Sequence, residues 1–241
     1  MNKKERIYIS VISNLLVGCM IALIFVSCFF IDSSNPTRQT ANSEYAGTIY
    51  AGDKTSKNVS LMINVYWGTE FLSSMLDSLD KYGAKATFFV GGTWAKDNPE
   101  MLKTIHAKGH EIGSHGHTHK EHDKLDYTKN LTEIQTCHEI VRDILGIDME
   151  LFAPPGGSYN SNTIKSAEFL NYKTIMWTRD TIDWRDKNTD LIYNRAVMNL
   201  SGGDLILMHP TKNTAEALER ILAKIKDCGF SAVTVTQTLC L

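Results

Sequence analysis

The segment Gly109-His110-Glu111-Ile112-Gly113-Ser114-His115-Gly116-His117-Thr118-His119 carries a short apolar strand into a turn with a histidine at every second position. His115 and His119 are the chemically suggestive pair, because three intervening residues let two imidazoles converge on one ion. Neutral imidazole is a common ligand for zinc-like metals, and two of them with a carboxylate and a water make an open, hydrolytic site. A histidine-rich turn by itself reads equally well as a solvated loop. The segments around it have to decide.

Those segments form an ordered series. From Val59 onward, short apolar runs at 59–65, 86–90, 111–114, 150–153, 173–178, 204–209 and 231–235 read as strands. Amphipathic stretches at 70–82, 99–108, 128–145, 161–170, 190–200 and 214–228 read as the helices between them. Gly83, Gly109, Gly146 and Gly229 each follow a last helical turn, where a left-handed cap is wanted. Pro99 after Asn98 marks a helix start. Such alternation predicts parallel β/α units, as a sheet covered by helices or as a closed barrel. Reactive groups in these folds gather at the carboxyl ends of strands, which puts the histidine turn and His209 on one face.

The N-terminus obeys different rules. Lys3, Lys4 and Arg6 precede an uncharged, mostly apolar run over 7–31, longer than the roughly 20 residues needed to cross a bilayer. Basic residues before it place the N-terminus inside and the remainder outside the cell. The expected organisation is a cytoplasmic stub and single-pass anchor over 1–31, a polar spacer over 32–58 and one domain over 59–241. Leu16-Val17-Gly18-Cys19 and Phe25-Val26-Ser27-Cys28 are less well placed as lipoprotein cleavage sites, and a secreted form is the weaker alternative. The chain has 241 residues, a formal charge of −2 and 43% apolar residues. That fits one globular domain, and no basic stripe points to nucleic acid. Cys137, Cys228 and Cys240 form no CxxC pair, although Cys228 and Cys240 could be joined in an oxidising exterior.

Four more segments line up with the histidine turn: Lys85-Ala86-Thr87-Phe88-Phe89-Val90-Gly91-Gly92, Pro154-Pro155-Gly156-Gly157-Ser158-Tyr159-Asn160, Asp180-Thr181-Ile182-Asp183-Trp184 and Leu205-Ile206-Leu207-Met208-His209-Pro210. In this order they resemble the polysaccharide deacetylase family, the NodB-homology domain of carbohydrate esterase family 4, from about Ser60 to the C-terminus. The resemblance implies an α/β fold, a deformed (β/α) barrel of about seven parallel strands. It implies removal of acetyl groups from a glycan with a divalent metal, zinc first, with cobalt or nickel as alternatives. It casts His115 and His119 as metal ligands, His209 as the general acid and Asp183 as the carboxylate that orients it. It gives Gly156 the oxyanion-binding N–H, and Trp184 and Leu207 the acetyl pocket.

The departures from the family pattern are confined to one arm of the site. The family's first motif, Thr-Phe-Asp-Asp-Gly, is here Asn64-Val65-Tyr66-Trp67-Gly68. Tyr66 stands at the general-base position and Trp67 at the third-ligand position. The arginine that orients the base is replaced by Ala153. A metal held by two imidazoles alone would be bound weakly or not at all, so Glu70 is the nearest substitute ligand or base. Its other reading is a first-turn glutamate favouring the helix dipole. His122 and Asp123 are further candidates, expected to be solvated. The sequence thus predicts a membrane-anchored, extracytoplasmic deacetylase acting on an amino-sugar polymer such as peptidoglycan. The alternative is an inactive domain of the same fold that binds glycan or a partner.

Overall fold

Strict alternation along the longest strand sorts the core into two layers. Val59, Leu61, Ile63 and Val65 are fully buried against helices, whereas Met62 joins a second cluster with Phe89, Leu151, Ala153, Ile175, Trp177, Leu205 and Leu207. Successive strand residues point to opposite faces, so the second cluster lies inside the curved sheet and the first outside it. The computed structural model describes residues 47–241. The predicted membrane anchor and the first part of the predicted spacer lie outside these residues. No helix among the described residues is long and apolar enough to cross a membrane.

The elements in chain order are β1 Thr48–Ile49, β2 Asn58–Val65, α1 Thr69–Lys81, β3 Thr87–Val90, α2 Gly92–Asp97, α3 Pro99–Ala107, β4 Glu111–Ser114, α4 Tyr127–Leu145, β5 Leu151–Phe152, α5 Ser161–Phe169, β6 Lys173–Ile175, β7 Arg179–Asp180, α6 Thr189–Val197, β8 Leu205–Met208, α7 Lys212–Asp227, β9 Ser231–Val233 and α8 Val235–Leu239. The sheet runs β1-β6-β5-β4-β3-β2-β8-β7, with β9 alongside the start of β2. Every pairing is parallel. The β/α alternation therefore resolves into a parallel, barrel-like sheet with helices outside.

Several elements of the fold differ from those predicted. The predicted strand 173–178 is realised only as β6, with β7 starting just past its end, because Met176 N–H bonds to the Ile49 carbonyl and Thr178 N–H to that of Leu205. Strand β1 arises within the predicted spacer. Helices α2 and α8 were not expected. Asn98 does not cap α3; its amide donates back to the Trp94 carbonyl at 2.9 Å. Cys228 and Cys240 are both free thiols.

The helices are held by amphipathic packing and by well-formed caps. On α7, Ala217, Leu218, Ile221, Leu222 and Ile225 make the buried stripe expected of a 3.6-residue period. Asp126, Asn160, Asn188, Thr211 and Thr234 each accept backbone N–H bonds at a helix start.

His110, just before β4, gives this core a pH limit. It is 3% exposed, its Nδ1 accepts from Ala86 N–H at 3.3 Å, and its Nε2 is buried without a partner. Burial pulls its pKa down to about 4. The unfolded imidazole protonates near 6.5, so the fold holds this contribution above that value and loses it as pH falls toward 4. In urea titrations the loss of unfolding free energy between pH 7 and pH 5 is expected to be about 2 kcal/mol smaller in His110→Gln than in wild type. An unchanged pH dependence would refute the assignment.

Candidate active site

Three chain segments meet at the carboxyl ends of the strands. The first is the histidine turn. His115 follows β4, is buried, and its Nδ1 lies 2.6 Å from the Ala153 carbonyl. A carbonyl accepts only, so Nδ1 carries the proton and Nε2 is the acceptor of the neutral ring. Burial, with the neighbouring His119, drives the His115 pKa well below the usual value. The His119 ring stands 5.1 Å from that of His115 at 68°, on a backbone with φ of 56°.

The turn is fixed from below by residues the sequence reading passed over. Glu133 of α4 accepts from His117 N–H, Thr118 N–H and the Thr118 hydroxyl at 3.0, 2.7 and 2.6 Å, and pairs with Lys120. His122, expected to be solvated, is wholly buried and bonded through Nδ1 to the Asn130 side-chain oxygen at 2.7 Å. A side chain on Gly116 would reach the His122 ring at 2.9 Å, so glycine is what lets the turn close over it. Asp123 is exposed.

The second segment brings His209 and Asp183 together. His209 Nδ1 lies 2.8 Å from one Asp183 oxygen, and its backbone N–H donates to the other at 2.6 Å. The Thr214 hydroxyl adds a third bond at 2.6 Å. The Asp183 side chain is completely buried, while that of His209 retains 15% exposure. The chain reaches this position through Ile182, a β-branched residue at φ of 53°, where the left-handed region is costly. Leu207 is buried in the barrel cluster below, and Trp184 is 58% exposed beside Arg185. Gly156 is exposed at φ of 61°, with no atom within 4 Å of the place a Cβ would occupy.

The third segment replaces the expected carboxylates with rings. The Tyr66 ring lies 4.9 Å from that of His119, and its hydroxyl accepts from Thr93 at 2.8 Å. Gly91 leaves room for it, since a Cβ there would come within 2.3 Å of the phenol ring. The Trp67 indole stacks on His209 at 5.8 Å and 8°, yet remains 44% exposed. Gly68 holds the loop at φ of 76° against the Pro210 carbonyl, which a Cβ would meet at 1.9 Å.

A catalytic zinc site takes three protein ligands. Among the described residues no group of three or more His, Cys, Asp or Glu side chains could hold a metal. Glu70 is exposed in the first turn of α1 and does not complete a set with His115 and His119. Two imidazoles beside a phenol and an indole do not fit the family's metal. Glu70 therefore does not serve as the substitute metal ligand in this arrangement.

Comparison with known proteins agrees with this architecture. The family described as "Polysaccharide deacetylase" matches residues 51–175. The uncharacterized protein YlxY of Bacillus subtilis is 38% identical over 79% of this chain, and the match spans 60% of YlxY. A peptidoglycan-N-acetylglucosamine deacetylase of Bacillus cereus is 30% identical, covering 77% of this chain and 70% of the relative. The crystal structure of BA3943, described as a CE4 family pseudoenzyme from Bacillus anthracis, superposes with a TM-score of 0.78 at 35% identity, over 81% of this chain and 69% of that one. A mutant of BA3943 described as having restored enzymatic activity superposes equally well, at 34% identity over 81% of this chain and 72% of that one.

Proposed function

Because the chain belongs to the polysaccharide deacetylase family, we propose that it binds an amino-sugar polymer of the cell envelope, such as peptidoglycan, without cleaving it. On this reading the N-terminal apolar run tethers the domain outside the cell, beside a fixed and insoluble ligand. One observation supports it above all: Trp67 stacks on the His209 ring where the family has its third metal ligand. Without that ligand, and with Tyr66 in place of the base, neither a metal nor a carboxylate activates water. His209 keeps its partner Asp183 but has no nucleophile to work with.

Binding follows from what remains. Trp67 and Trp184 are large exposed apolar side chains flanking the His209–Asp183 pair. Exposed aromatic surface beside polar groups marks a ligand-binding face, and flat rings suit the apolar faces of pyranose sugars.

Full-length protein incubated with N-acetylated peptidoglycan and Zn²⁺ or Co²⁺ is expected to release no acetate above background, yet to sediment with the polymer. Trp67→Ala is expected to weaken that binding about tenfold, as loss of a central aromatic contact does. Acetate release that disappears in His119→Ala would overturn the proposal and restore the hydrolase.

A further inference from the structure

We propose that the sugar units favoured by this site are those carrying a free ammonium, so that the chain binds the polymer in both forms but prefers the de-N-acetylated one. This deepens the binding function proposed above and rests on it. The geometry points to a cation because the barrel mouth offers acceptors where the family places positive charge.

Two polar side chains carry the argument. Asp180 ends β7 in register with Leu207, so its side chain lies on the same inner face as Leu207 and, two residues further along, His209. One of its oxygens accepts from Ile182 N–H at 2.8 Å, and the other accepts no hydrogen bond from the described residues. Burial, with Asp183 nearby, raises the Asp180 pKa, as happens to a carboxyl group short of countercharge. Two groups act on it in the opposite sense and both are engaged elsewhere: His209 with Asp183 at 2.8 Å, and Arg195 with Asp186 at 2.7 Å and the Thr181 carbonyl at 3.0 Å.

Asn64 is the second. It lies two residues after Met62 on the inner face of β2, opposite Phe89, and is 3% exposed. Its side-chain oxygen is buried without a hydrogen-bond partner. A buried acceptor left unpaired costs on the order of 1–3 kcal/mol, so a donor reaching it is favoured. At the end of β4, two strands away across β3, His115 has Nε2 as an acceptor, since its Nδ1 faces the Ala153 carbonyl.

An acetamido carbonyl needs donors or a metal at this place. Ala153 supplies no guanidinium and no three-ligand metal group exists among the described residues. A sugar ammonium brings three N–H donors and a positive charge, which matches a carboxylate, an amide oxygen and the face of an indole.

The test compares two probes on the full-length protein by calorimetry: β-1,4-linked glucosamine tetramer with free amines, and the same tetramer fully N-acetylated. The amine form is expected to bind at least about tenfold tighter, the scale of one charge-assisted hydrogen bond. Added salt should erode that preference, and Asp180→Asn should abolish it. Equal or tighter binding of the acetylated tetramer overturns this inference and leaves glycan binding intact. If neither tetramer binds and the polymer is not retained either, the proposed function fails with it. Because the preference is measured on the wild-type chain, a folding defect in Asp180→Asn would not rescue the idea.

Discussion

Replacing Tyr66 and Trp67 by aspartate and Ala153 by arginine is expected to give a metal-dependent deacetylase, with acetate release at least about 10²-fold above wild type. General-base catalysis alone contributes roughly 10²–10⁴, and a carboxylate at position 67 supplies the third ligand of a catalytic zinc site. The remaining parts are already assembled. His115 and His119 stand with ring centroids 5.1 Å apart, and His209 is held by Asp183 at 2.8 Å. Removing the indole also uncovers the His209 ring on which it stacks at 5.8 Å. Metal content and acetate release should be measured together on the folded triple variant. One equivalent of metal without acetate would mean that His209, Asp183 and Gly156 do not form a competent acid and oxyanion site. No bound metal would mean that His115 and His119 are misplaced for coordination.

The largest expected loss of stability lies beneath the same strand ends. Arg179 and Asp204 are both buried, with their side chains each 3% exposed, and Arg179 Nε donates to Asp204 at 3.2 Å. Arg179 also bonds the Met198 carbonyl, and Asp204 accepts from Ser201 N–H at 2.9 Å. Asp204→Ala would remove the buried carboxylate to which Arg179 Nε donates, and breaking such a buried pair costs about 3–5 kcal/mol. For a domain of this size that corresponds to a melting-point drop of roughly 10 °C. An exposed pair such as Lys103–Glu100 should be worth less than about 1 kcal/mol by comparison. Thermal melts of Asp204→Ala beside Glu100→Ala check the contrast, and similar losses in the two would disprove it.

What the sequence discloses and what it hides follow from range. Histidine spacing, strand alternation and glycine caps are local, so β4 with its turn, the long α4 and the carboxyl-end placement of His209 are all legible. The Asp183–His209 pairing spans 26 residues and was reached only through family resemblance. Glu133 and Asn130 look like ordinary helix residues, and only the folded turn shows them satisfying its N–H groups and His122. Strand β1 is two residues long, too short for any period, and exists because Thr48 and Ile49 add to the free edge of β6. Two substitutions were legible at Tyr66 and Trp67, but not the direction of their rings. Packing set that direction, through Gly91 on one side and His209 on the other.

The triple engagement of Asp183 explains why this molecule is lopsided. Its carboxylate ties the end of β8 to the first turn of α7 and to the chain leaving β7, so it works as a truss as much as a tool. Trp67, by contrast, stands at the rim with 44% of its surface in solvent. A substitution at that exposed rim is expected to cost little stability, whereas discarding Asp183 would slacken three elements at once. If catalysis has been lost as proposed, masonry would steer that loss: reagents that hold up walls would outlast those that only react.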